Sequence, residues 1–308
     1  MKVLFVSSGN ANGGISPIVK NQGESLRAEG IDIEYFPIKG KGAKGYIKAM
    51  LKLRKHLKDN SYDIIHAHYW ISAIVATLAG GKRIVVSLMG DDVKTKEWFK
   101  WIIFIFHRFF WTKTIVKSED MFDAFGQEDV YVVPNGIDMK RFRPIDKTEA
   151  FEVTKWDKDK KHILFTSDPK REEKNYKLAK DAVEFLNDDN LELHYLVNIE
   201  NEKIPYYYNS ASVVVLTSTR EGSPNAIKET MACNIPIVST DVGDVKSVIS
   251  DTDGCYIASF DVENFASKIE KALEFGYRTE GRNHIKHLKS EIIAQRIIAI
   301  YKSALKEK

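Results

Sequence analysis

Short apolar runs alternate with longer amphipathic segments along most of this chain, and that alternation restricts the fold more than any other feature. Residues 2–6, 84–88 and 212–216 are typical runs, rich in valine, isoleucine and leucine. Such runs are characteristic of buried parallel strands, and the segments between them are long enough for helices. The sequence therefore predicts an α/β chain with parallel sheets covered by helices, opening with a Rossmann-like strand–turn–helix–strand unit.

Length and composition narrow the class of protein. The 308 residues suffice for two domains with separate cores, and 44% hydrophobic and 29% charged residues are typical of a globular protein. A net charge of +3 does not indicate a nucleic-acid partner. Two cysteines, Cys233 and Cys255, make no disulfide framework, and no apolar run reaches the ~18 residues of a membrane span. We therefore expect a cytoplasmic protein that at most lies on a membrane surface.

The most informative stretch follows the apolar run at residues 212–216. A polar loop carries Glu221 and Gly222, and Ser223-Pro224 then predicts a helix start, with an oxygen side chain at the N-cap and proline at the first helical position. Free amides at a helix start can hold a phosphate. Glu229 lies one helical turn after Asn225, where its carboxylate can accept hydrogen bonds from sugar hydroxyls. This stretch predicts a site for a phosphate-bearing ligand.

Two features of the first half point to a second ligand-binding wall. The loop after the first strand holds Gly13 and Gly14, which suit either a close approach of backbone to a ligand or a plain tight turn. The loop is not GxGxxG, so a nicotinamide or flavin fingerprint is absent. His68 ends the predicted strand at residues 62–68, at the edge of a parallel sheet where ligands bind.

Two further segments each allow two interpretations. Residues 39–58 are rich in lysine and carry a helical stripe of leucine and methionine, so they form either a solvated helix or a basic patch for an anionic membrane or phosphorylated acceptor. Residues 98–111, WFKWIIFIFHRFFW, are apolar almost all round a helix. They form either a buried core helix or an interfacial anchor with Arg108 reaching to the headgroups, and the many aromatics favour the anchor.

Several stretches together resemble the retaining, nucleotide-sugar-dependent glycosyltransferases of family 4, which have the GT-B fold. The resemblance extends over nearly the whole chain. Its most specific part is the pair Glu221 and Glu229, separated by seven residues and followed by Met231-Ala-Cys and Pro236-Ile-Val. The other stretches are the Gly13-Gly14 loop, residues 63–68 (DIIHAH), residues 133–138 (VPNGID), Phe142, Pro144 and residues 173–175 (EKN).

This resemblance implies a GT-B chain of two Rossmann-like domains facing across a cleft. Residues 1–148 would form the N-terminal acceptor-side domain, residues 149–288 the donor-binding domain, and residues 289–308 a helix crossing back to the first domain. The implied reaction transfers a sugar, with anomeric retention, from a UDP- or GDP-linked donor to a saccharide or lipid-linked acceptor in cell-surface polysaccharide or glycoconjugate biosynthesis. The resemblance also implies no cofactor beyond the donor, and no bound metal.

The resemblance assigns roles to particular residues. Glu221 would contact the donor sugar, Glu229 the ribose, and Lys174 the diphosphate. Gly14, with Gly13 before it, would approach the same phosphates from the first domain. The remaining donor-binding candidates are the loop and helix-start residues Gly222, Ser223, Asn225, Ala226 and Ile227, whose amides would approach the diphosphate or the sugar.

The chain departs from the family pattern at two positions. Pro169 stands where the family usually has an arginine, and Arg171, three residues before Lys174, is expected to replace it. Met89 stands where a histidine is common, so a contact to the sugar or its phosphate is lost or comes from His68.

Other functions remain open. One is a catalytically silent GT-B partner in a glycan-assembly complex, although Glu221, Glu229 and Lys174 argue against it. Another is a related GT-B epimerase or phosphorylase. For this one, the sequence offers no evident lysine setting for a pyridoxal cofactor, and the spacing of the two glutamates favours a transferase.

Overall fold

The computed structural model describes residues 1–10, 14–40, 42–90, 97–125, 128–276 and 278–306. The chain divides into two compact units: Met1–Gly136 together with Ser290–Lys308, and Ile137–Lys289. Within the described residues each unit holds one parallel sheet, of six strands in the first and five in the second. The predicted α/β class is confirmed.

The first unit begins with the elements β1 (Lys2–Ser8), α1 (Pro17–Ala28), β2 (Asp32–Ile38), α2 (Gly42–Asp59), β3 (Ile64–His68), α3 (Trp70–Leu78), β4 (Ile84–Ser87), α4 (Glu97–Phe109), β5 (Lys113–Val116), α5 (Glu119–Phe125) and β6 (Val130–Val132). The second unit comprises α6 (Lys147–Thr154), β7 (Lys161–Phe165), α7 (Tyr176–Leu186), β8 (Leu191–Tyr195), α8 (Ile204–Ser210), β9 (Val213–Leu216), α9 (Asn225–Ala232), β10 (Ile237–Thr240), α10 (Val245–Ile249), β11 (Cys255–Ala258), α11 (Val262–Phe275) and α12 (Gly281–His284). The chain ends in α13 (Ser290–Lys306), which lies in the first unit.

The first sheet has the order β2-β1-β3-β4-β5-β6, and its two sides carry different helices. On one side, Ile65 packs with Leu53 of α2 and Ile103 of α4. Neighbouring residues of a strand point to opposite faces, so His66 lies on the other side. There its Nδ1 lies 2.6 Å from the hydroxyl of Tyr301 in α13, and its Nε2 lies 2.8 Å from Ser87 Oγ. His66 is therefore a satisfied core residue that joins α13 to the sheet.

The second sheet has the order β11-β10-β9-β7-β8, and α7 and α11 pack on one of its sides. Two arginines fasten the start of this unit. Arg278 donates to the carbonyl of Ile145 at 2.5 Å, and Arg282 donates to the carbonyls of Phe142 at 2.7 Å and Met139 at 2.6 Å. These hydrogen bonds to backbone carbonyls make residues 137–146 an integral part of the second unit.

Pro144 and a run of lysines and aspartates indicate an interdomain linker at residues 144–161 in the sequence, but the structure has the helix α6 within this segment. Ala150 and Phe151 of α6 are buried, and the amide of Ile145 donates to Asn209 Oδ1 at 2.8 Å. The second unit starts at Ile137, before the boundary expected near residue 148. The short helix escaped prediction because it and the residues after it are rich in lysine, aspartate and glutamate, which are also typical of linkers.

Candidate active site

The structure brings together two residues that the sequence assigned to the donor site. Lys174 ends a 3₁₀ turn (Glu172–Lys174) in the loop between β7 and α7, and its ammonium group contacts Glu221 Oε1 in the loop after β9. Ser218 Oγ donates to the same carboxylate oxygen at 2.7 Å. Both members of the ion pair are partly buried. An ammonium has three N–H donors, so Lys174 can hold Glu221 and still donate to phosphate oxygens.

Two threonines after β9 hold the turn that carries Lys174. Thr217 Oγ1 lies 2.9 Å from the carbonyl oxygens of both Lys174 and Asn175. The amide of Thr219 donates to the carbonyl of Glu173 at 2.9 Å. These contacts fix the backbone on both sides of Lys174, so the lysine belongs to a braced loop at the carboxyl edge of the sheet. That edge is where parallel α/β sheets bind ligands.

A buried ion pair fastens the loop that carries Glu221. Lys228 of α9 lies beneath the loop, fully buried, and its ammonium group contacts Asp244 Oδ2 at 2.8 Å. Ser223 Oγ lies 2.7 Å from the same oxygen and also contacts the ammonium of Lys228. Burial lowers the pKa of Lys228. The Asp244 carboxylate favours the charged ammonium and so opposes that change.

This network corrects the predicted helix start. Ser223 does not cap α9, because its hydroxyl is engaged by Asp244 and Lys228. The N-cap residue is Pro224, which makes no side-chain capping hydrogen bond, and the helix begins at Asn225. The side chain of Ser223 therefore does not accept a hydrogen bond from the free amides at the start of α9.

A glycine contact holds the same loop close to the loop after β10. The amide of Asp244 donates to the carbonyl of Gly222 at 3.2 Å. Gly243 has a φ of +57°, and a Cβ at that position would lie 2.3 Å from the Gly222 carbonyl oxygen. A side chain on Gly243 would therefore push away the backbone that follows Glu221.

The first turn of α9 combines free amides with a buried acceptor. Asn225 Oδ1 is buried and has no hydrogen-bond partner among the described residues. Ala226 is partly exposed, whereas Ile227 is fully buried, so Ile227 can reach a ligand only through its backbone. A helix start attracts anions. These residues fit a ligand that carries both a phosphate and hydroxyl groups.

Glu229 lies one turn further along α9 and is held by Tyr208 of α8. The Tyr208 hydroxyl donates to Glu229 Oε2 at 2.7 Å. Burial raises the pKa of the Glu229 carboxyl above its usual value, while Tyr208 and Arg141 act in the opposite direction. The second carboxylate oxygen, with the lone pairs left on Oε2, can accept from hydroxyls of a ligand.

The side chain of Arg171 pairs with Glu173 and not with Glu221. Its guanidinium group donates to Glu173 Oε1 from Nε at 2.8 Å and from Nη2 at 2.5 Å. The arginine side chain is largely exposed, and an exposed pair of this kind is worth only about 0–1 kcal/mol. Exchange of Glu173 for a phosphate would therefore cost little, and the role expected for Arg171 stays a prediction.

The candidates of the first half belong to the first unit. Gly14 has a φ of +93°, a conformation that favours glycine, whereas Gly13 lies outside the described residues. His68 ends β3 and is buried, with both ring nitrogens lacking a hydrogen-bond partner among the described residues. Burial and the nearby charge of Lys117 lower the pKa of His68 to about 3, so the ring is neutral. Its expected contact with a ligand stays a prediction.

Several residues of this site have no signal in the sequence. Tyr208, Thr217, Lys228 and Asp244 act through contacts between segments that are far apart along the chain. A lysine in a predicted helix is ordinarily interpreted as exposed, whereas Lys228 is buried.

Two sequence families match consecutive parts of the chain. The family described as "Glycosyltransferase Family 4" matches residues 13–141, and the family described as "Glycosyl transferases group 1" matches residues 148–274. The chain is a glycosyltransferase of the family 4/group 1 type. The resemblance derived from the paired glutamates and the Pro-Asn-Gly turn is thereby confirmed.

Curated relatives of this glycosyltransferase are distant in sequence. It is 22% identical to a D-inositol 3-phosphate glycosyltransferase of Geodermatophilus obscurus, over 85% of this chain and 71% of the relative. It is 26% identical to the UDP-Gal:alpha-D-GlcNAc-diphosphoundecaprenol alpha-1,3-galactosyltransferase of Escherichia coli, over 74% of this chain and 70% of the relative.

Solved structures of GT-B glycosyltransferases match the fold over the whole chain. Sucrose-phosphate synthase from Thermosynechococcus elongatus superimposes with a TM-score of 0.78 at 17% identity, covering 100% of this chain and 99% of that one. HepE of Anabaena, in complex with UDP-glucose, gives a TM-score of 0.72 at 15% identity, covering 98% and 100%. The predicted GT-B class is confirmed.

Proposed function

We propose that this glycosyltransferase moves a sugar, with retention of anomeric configuration, from a nucleoside diphosphate sugar to a saccharide or lipid-linked acceptor. The observation that carries the proposal is the ion pair of Lys174 and Glu221 in a braced loop just before α9. The names of two relatives support a uridine diphosphate donor, since one acts with UDP-Gal on a lipid-linked acceptor and the other binds UDP-glucose. A GDP-linked donor is the other choice. The proposed role is synthesis of a cell-surface polysaccharide or glycoconjugate.

The charges at the site suit the departure of a nucleoside diphosphate. Negative charge grows on the leaving diphosphate as the glycosidic bond breaks, and fixed positive groups stabilise that charge most. Lys174 supplies a cation, and the first amides of α9 supply the positive end of a helix dipole. These groups can balance the leaving group without a metal ion, so we propose a metal-independent reaction.

Sugar and ribose hydroxyls need acceptors that are already in place. Glu221 is fixed by Lys174 and Ser218, and it would accept from hydroxyls of the transferred sugar. Glu229 is fixed by Tyr208, and it would accept from the ribose. If departure and attack take place on the same face of the sugar, retention requires no protein nucleophile.

A panel of donors tests the function. Purified protein is incubated with UDP- and GDP-sugars, with and without a membrane extract as acceptor source, and nucleotide release is measured. We expect release that depends on one donor class and rises when acceptor is added. A chain that binds a nucleotide but never releases it would be the silent partner, and a chain that binds none would exclude the enzyme.

Glu229 gives this panel a pH-dependent readout. We expect Glu229→Ala to weaken nucleotide binding by about 1.5–3 kcal/mol, because a charged acceptor is lost. For the unaltered protein, affinity should fall as the pH drops through the raised pKa of Glu229, since the protonated carboxyl accepts less well. Tyr208→Phe removes a bond that lowers this pKa, so the fall should move to higher pH. Titration calorimetry across a pH series measures both effects.

Glu184→Ala is the matched control, because Glu184 lies on α7 in an exposed pair with Lys180. Its nucleotide affinity should follow the unaltered protein at every pH. Equal affinity of the Glu229→Ala variant and the unaltered protein would remove Glu229 from the ribose site.

We also propose that the helix layer of α2, α3 and α4 contacts an anionic membrane surface. None of the described helices is long and apolar enough to cross a membrane. Ile103 of α4 is buried in the core, whereas Trp101 and Phe109 are 68% and 73% exposed. They line an outward stripe with Ile105, at helical spacing.

Exposed apolar side chains and lysines occur together in this layer. Ile47 and Leu51 of α2 are exposed, and so are Lys44, Lys48 and Lys52 on the same helix. An apolar stripe beside a row of lysines suits a membrane with anionic headgroups, to which each nearby lysine contributes about 1 kcal/mol. This surface supports a proposed location at the cytoplasmic face of a membrane.

Vesicle co-sedimentation tests this surface. We expect the protein to bind vesicles containing phosphatidylglycerol better than vesicles of phosphatidylcholine alone. Replacement of Trp101, Phe109 and Phe110 by serine should reduce binding by at least roughly tenfold per side chain inserted, from about 1.5–3 kcal/mol for each fully buried large residue. Phe185→Ser is the control, since Phe185 is 54% exposed on α7 of the second unit. Unchanged binding of the triple variant would exclude this surface.

A further inference from the structure

Three side chains that the donor site does not use meet at the amino end of the second sheet. His162 lies near the start of β7, and Glu192 and His194 lie two residues apart on the edge strand β8. His162 Nδ1 lies 2.9 Å from His194 Nε2. Glu192 Oε2 lies 3.6 Å from the first nitrogen and 3.5 Å from the second. These three atoms form a compact triangle of nitrogen and oxygen donors.

The surroundings orient two of the three donor atoms toward the centre of the triangle. His162 Nε2 lies 2.7 Å from the carbonyl of Asp157, which can only accept, so Nε2 carries the ring proton and Nδ1 keeps its lone pair. Lys160 lies 3.0 Å from Glu192 Oε1, the oxygen that does not face the imidazoles. Partners of this kind on the far side of a ligand are typical of metal centres.

The triangle has the size that one metal ion requires. Zinc–nitrogen distances of about 2.0–2.1 Å at tetrahedral angles place the ligand atoms about 3.3 Å apart. The observed separations of 2.9, 3.5 and 3.6 Å lie on both sides of that value, so shifts of a few tenths of an ångström would suffice.

Aromatic rings wall the cluster. Trp156 stacks on His194 at 3.8 Å with an interplanar angle of 17°, and Phe151 meets the edge of His162 at 5.7 Å. His162 is fully buried, whereas Glu192 and His194 are partly exposed. An ion therefore has a route to the ligands from the side of the edge strand, while His162 lies in the protein interior.

We propose that His162, Glu192 and His194 bind a divalent transition metal ion, with zinc favoured by the donor set and a water at the fourth position. Two imidazoles and one carboxylate with an open position form a known zinc ligand set. The cluster lies at the amino end of β7, whereas Lys174 follows its carboxyl end, so the metal would have no part in sugar transfer. It would instead join the edge strand β8 to β7 and stabilise this side of the sheet.

The sequence alone does not indicate a metal site at these residues. No metal ligand set is evident along the chain, because His162 stands thirty-two positions before His194 and no short motif joins them. The register of β7 and β8 brings them together by pairing His162 with Glu192.

Cobalt(II) is a suitable probe, because its visible absorption reports the ligand set. Full-length protein is stripped with a chelator, and Co²⁺ and then Zn²⁺ are titrated in by absorption and calorimetry. We expect one equivalent to bind, with the bands of tetrahedral nitrogen and oxygen coordination and without a thiolate charge-transfer band. Zn²⁺ should displace Co²⁺ and raise the melting temperature. Failure to bind Co²⁺ would overturn the proposal.

Variants locate the ion. Glu192→Gln and His194→Gln should each lower Co²⁺ affinity at least about tenfold, on the scale known for losing even outer partners of a metal ligand. His287→Gln is the control, because His287 is exposed and lies outside the cluster. Circular dichroism of the stripped variants shows whether they fold. If folded Glu192→Gln and the unaltered protein bind Co²⁺ with equal affinity, the cluster is a hydrogen-bonded pair of histidines and not a metal site. This outcome is independent of the result of the donor panel.

Discussion

Asp244→Ala is expected to lower the free energy of unfolding of the second unit by about 3–5 kcal/mol, because it leaves the ammonium of Lys228 buried without its charged partner. The pair lies 2.8 Å apart, and both side chains are almost wholly buried. A typical domain is stable by only about 5–15 kcal/mol, so this one contact amounts to a large share. Urea unfolding followed by circular dichroism measures the change.

Two comparisons make this prediction specific. Asp181→Ala removes an exposed partner of Lys177, whose side chain is 82% exposed, and should cost at most about 1 kcal/mol. The double variant Lys228→Met with Asp244→Leu removes both charges and should recover most of the loss, since apolar replacement of a buried pair is often neutral. A loss for Asp244→Ala no larger than that for Asp181→Ala would show that the buried pair is not needed.

Lys174→Ala is expected to weaken nucleotide-sugar binding by about 10- to 150-fold, which corresponds to roughly 1.5–3 kcal/mol for a hydrogen bond to a charged group. The lysine is the cation that the proposed diphosphate would meet, and the rate of transfer should fall as well, because the charge on the leaving group grows in the transition state. Calorimetry with the nucleoside diphosphate measures the affinity, and nucleotide release measures the rate.

Glu221 complicates that experiment, because removal of Lys174 also leaves this carboxylate without its ion-pair partner. The double variant Lys174→Ala with Glu221→Gln separates the two effects, since it removes the unpaired charge. If nucleotide affinity remains low in the double variant, the loss belongs to the phosphate contact. Lys177→Ala, in an exposed pair on α7, is the matched control and should bind as the unaltered protein does. Full affinity in Lys174→Ala would contradict the site.

The sequence predicted the parts of this molecule that local pattern determines. The last helix, expected over residues 289–308, spans Ser290–Lys306 in the structure, with Ile293, Ile297 and Ile300 buried. The strand predicted before Glu221 is confirmed as β9. A short run of valines bounded by polar residues is typical of a buried strand in an α/β chain. The family resemblance assigned Glu221 and Lys174 to the donor site, and the contact between their charged groups is known only from the structure.

The predictions that failed are those in which contacts with residues distant in the sequence outweigh the local sequence preference. Ser223 has the composition of an N-cap, yet Asp244, twenty-one positions later, engages its hydroxyl. Within the segment that resembles a linker, residues 147–154 form a helix whose Ala150 and Phe151 are buried in the second unit. The cluster of His162, Glu192 and His194 depends on which residues face each other across two strands. Such contacts become visible only with the fold.

The division of the chain has a consequence for its synthesis on the ribosome. The second unit, Ile137–Lys289, is one continuous segment, and its two ends are joined by the amide of Ile137 and the carbonyl of Leu288 at 2.9 Å. Every residue it needs has been made once Lys289 has left the ribosome. The first unit starts earlier but waits for α13, because the imidazole of His66 finds the hydroxyl of Tyr301 only 235 residues later. Domains generally fold as units during synthesis, so the unit that begins first is completed last.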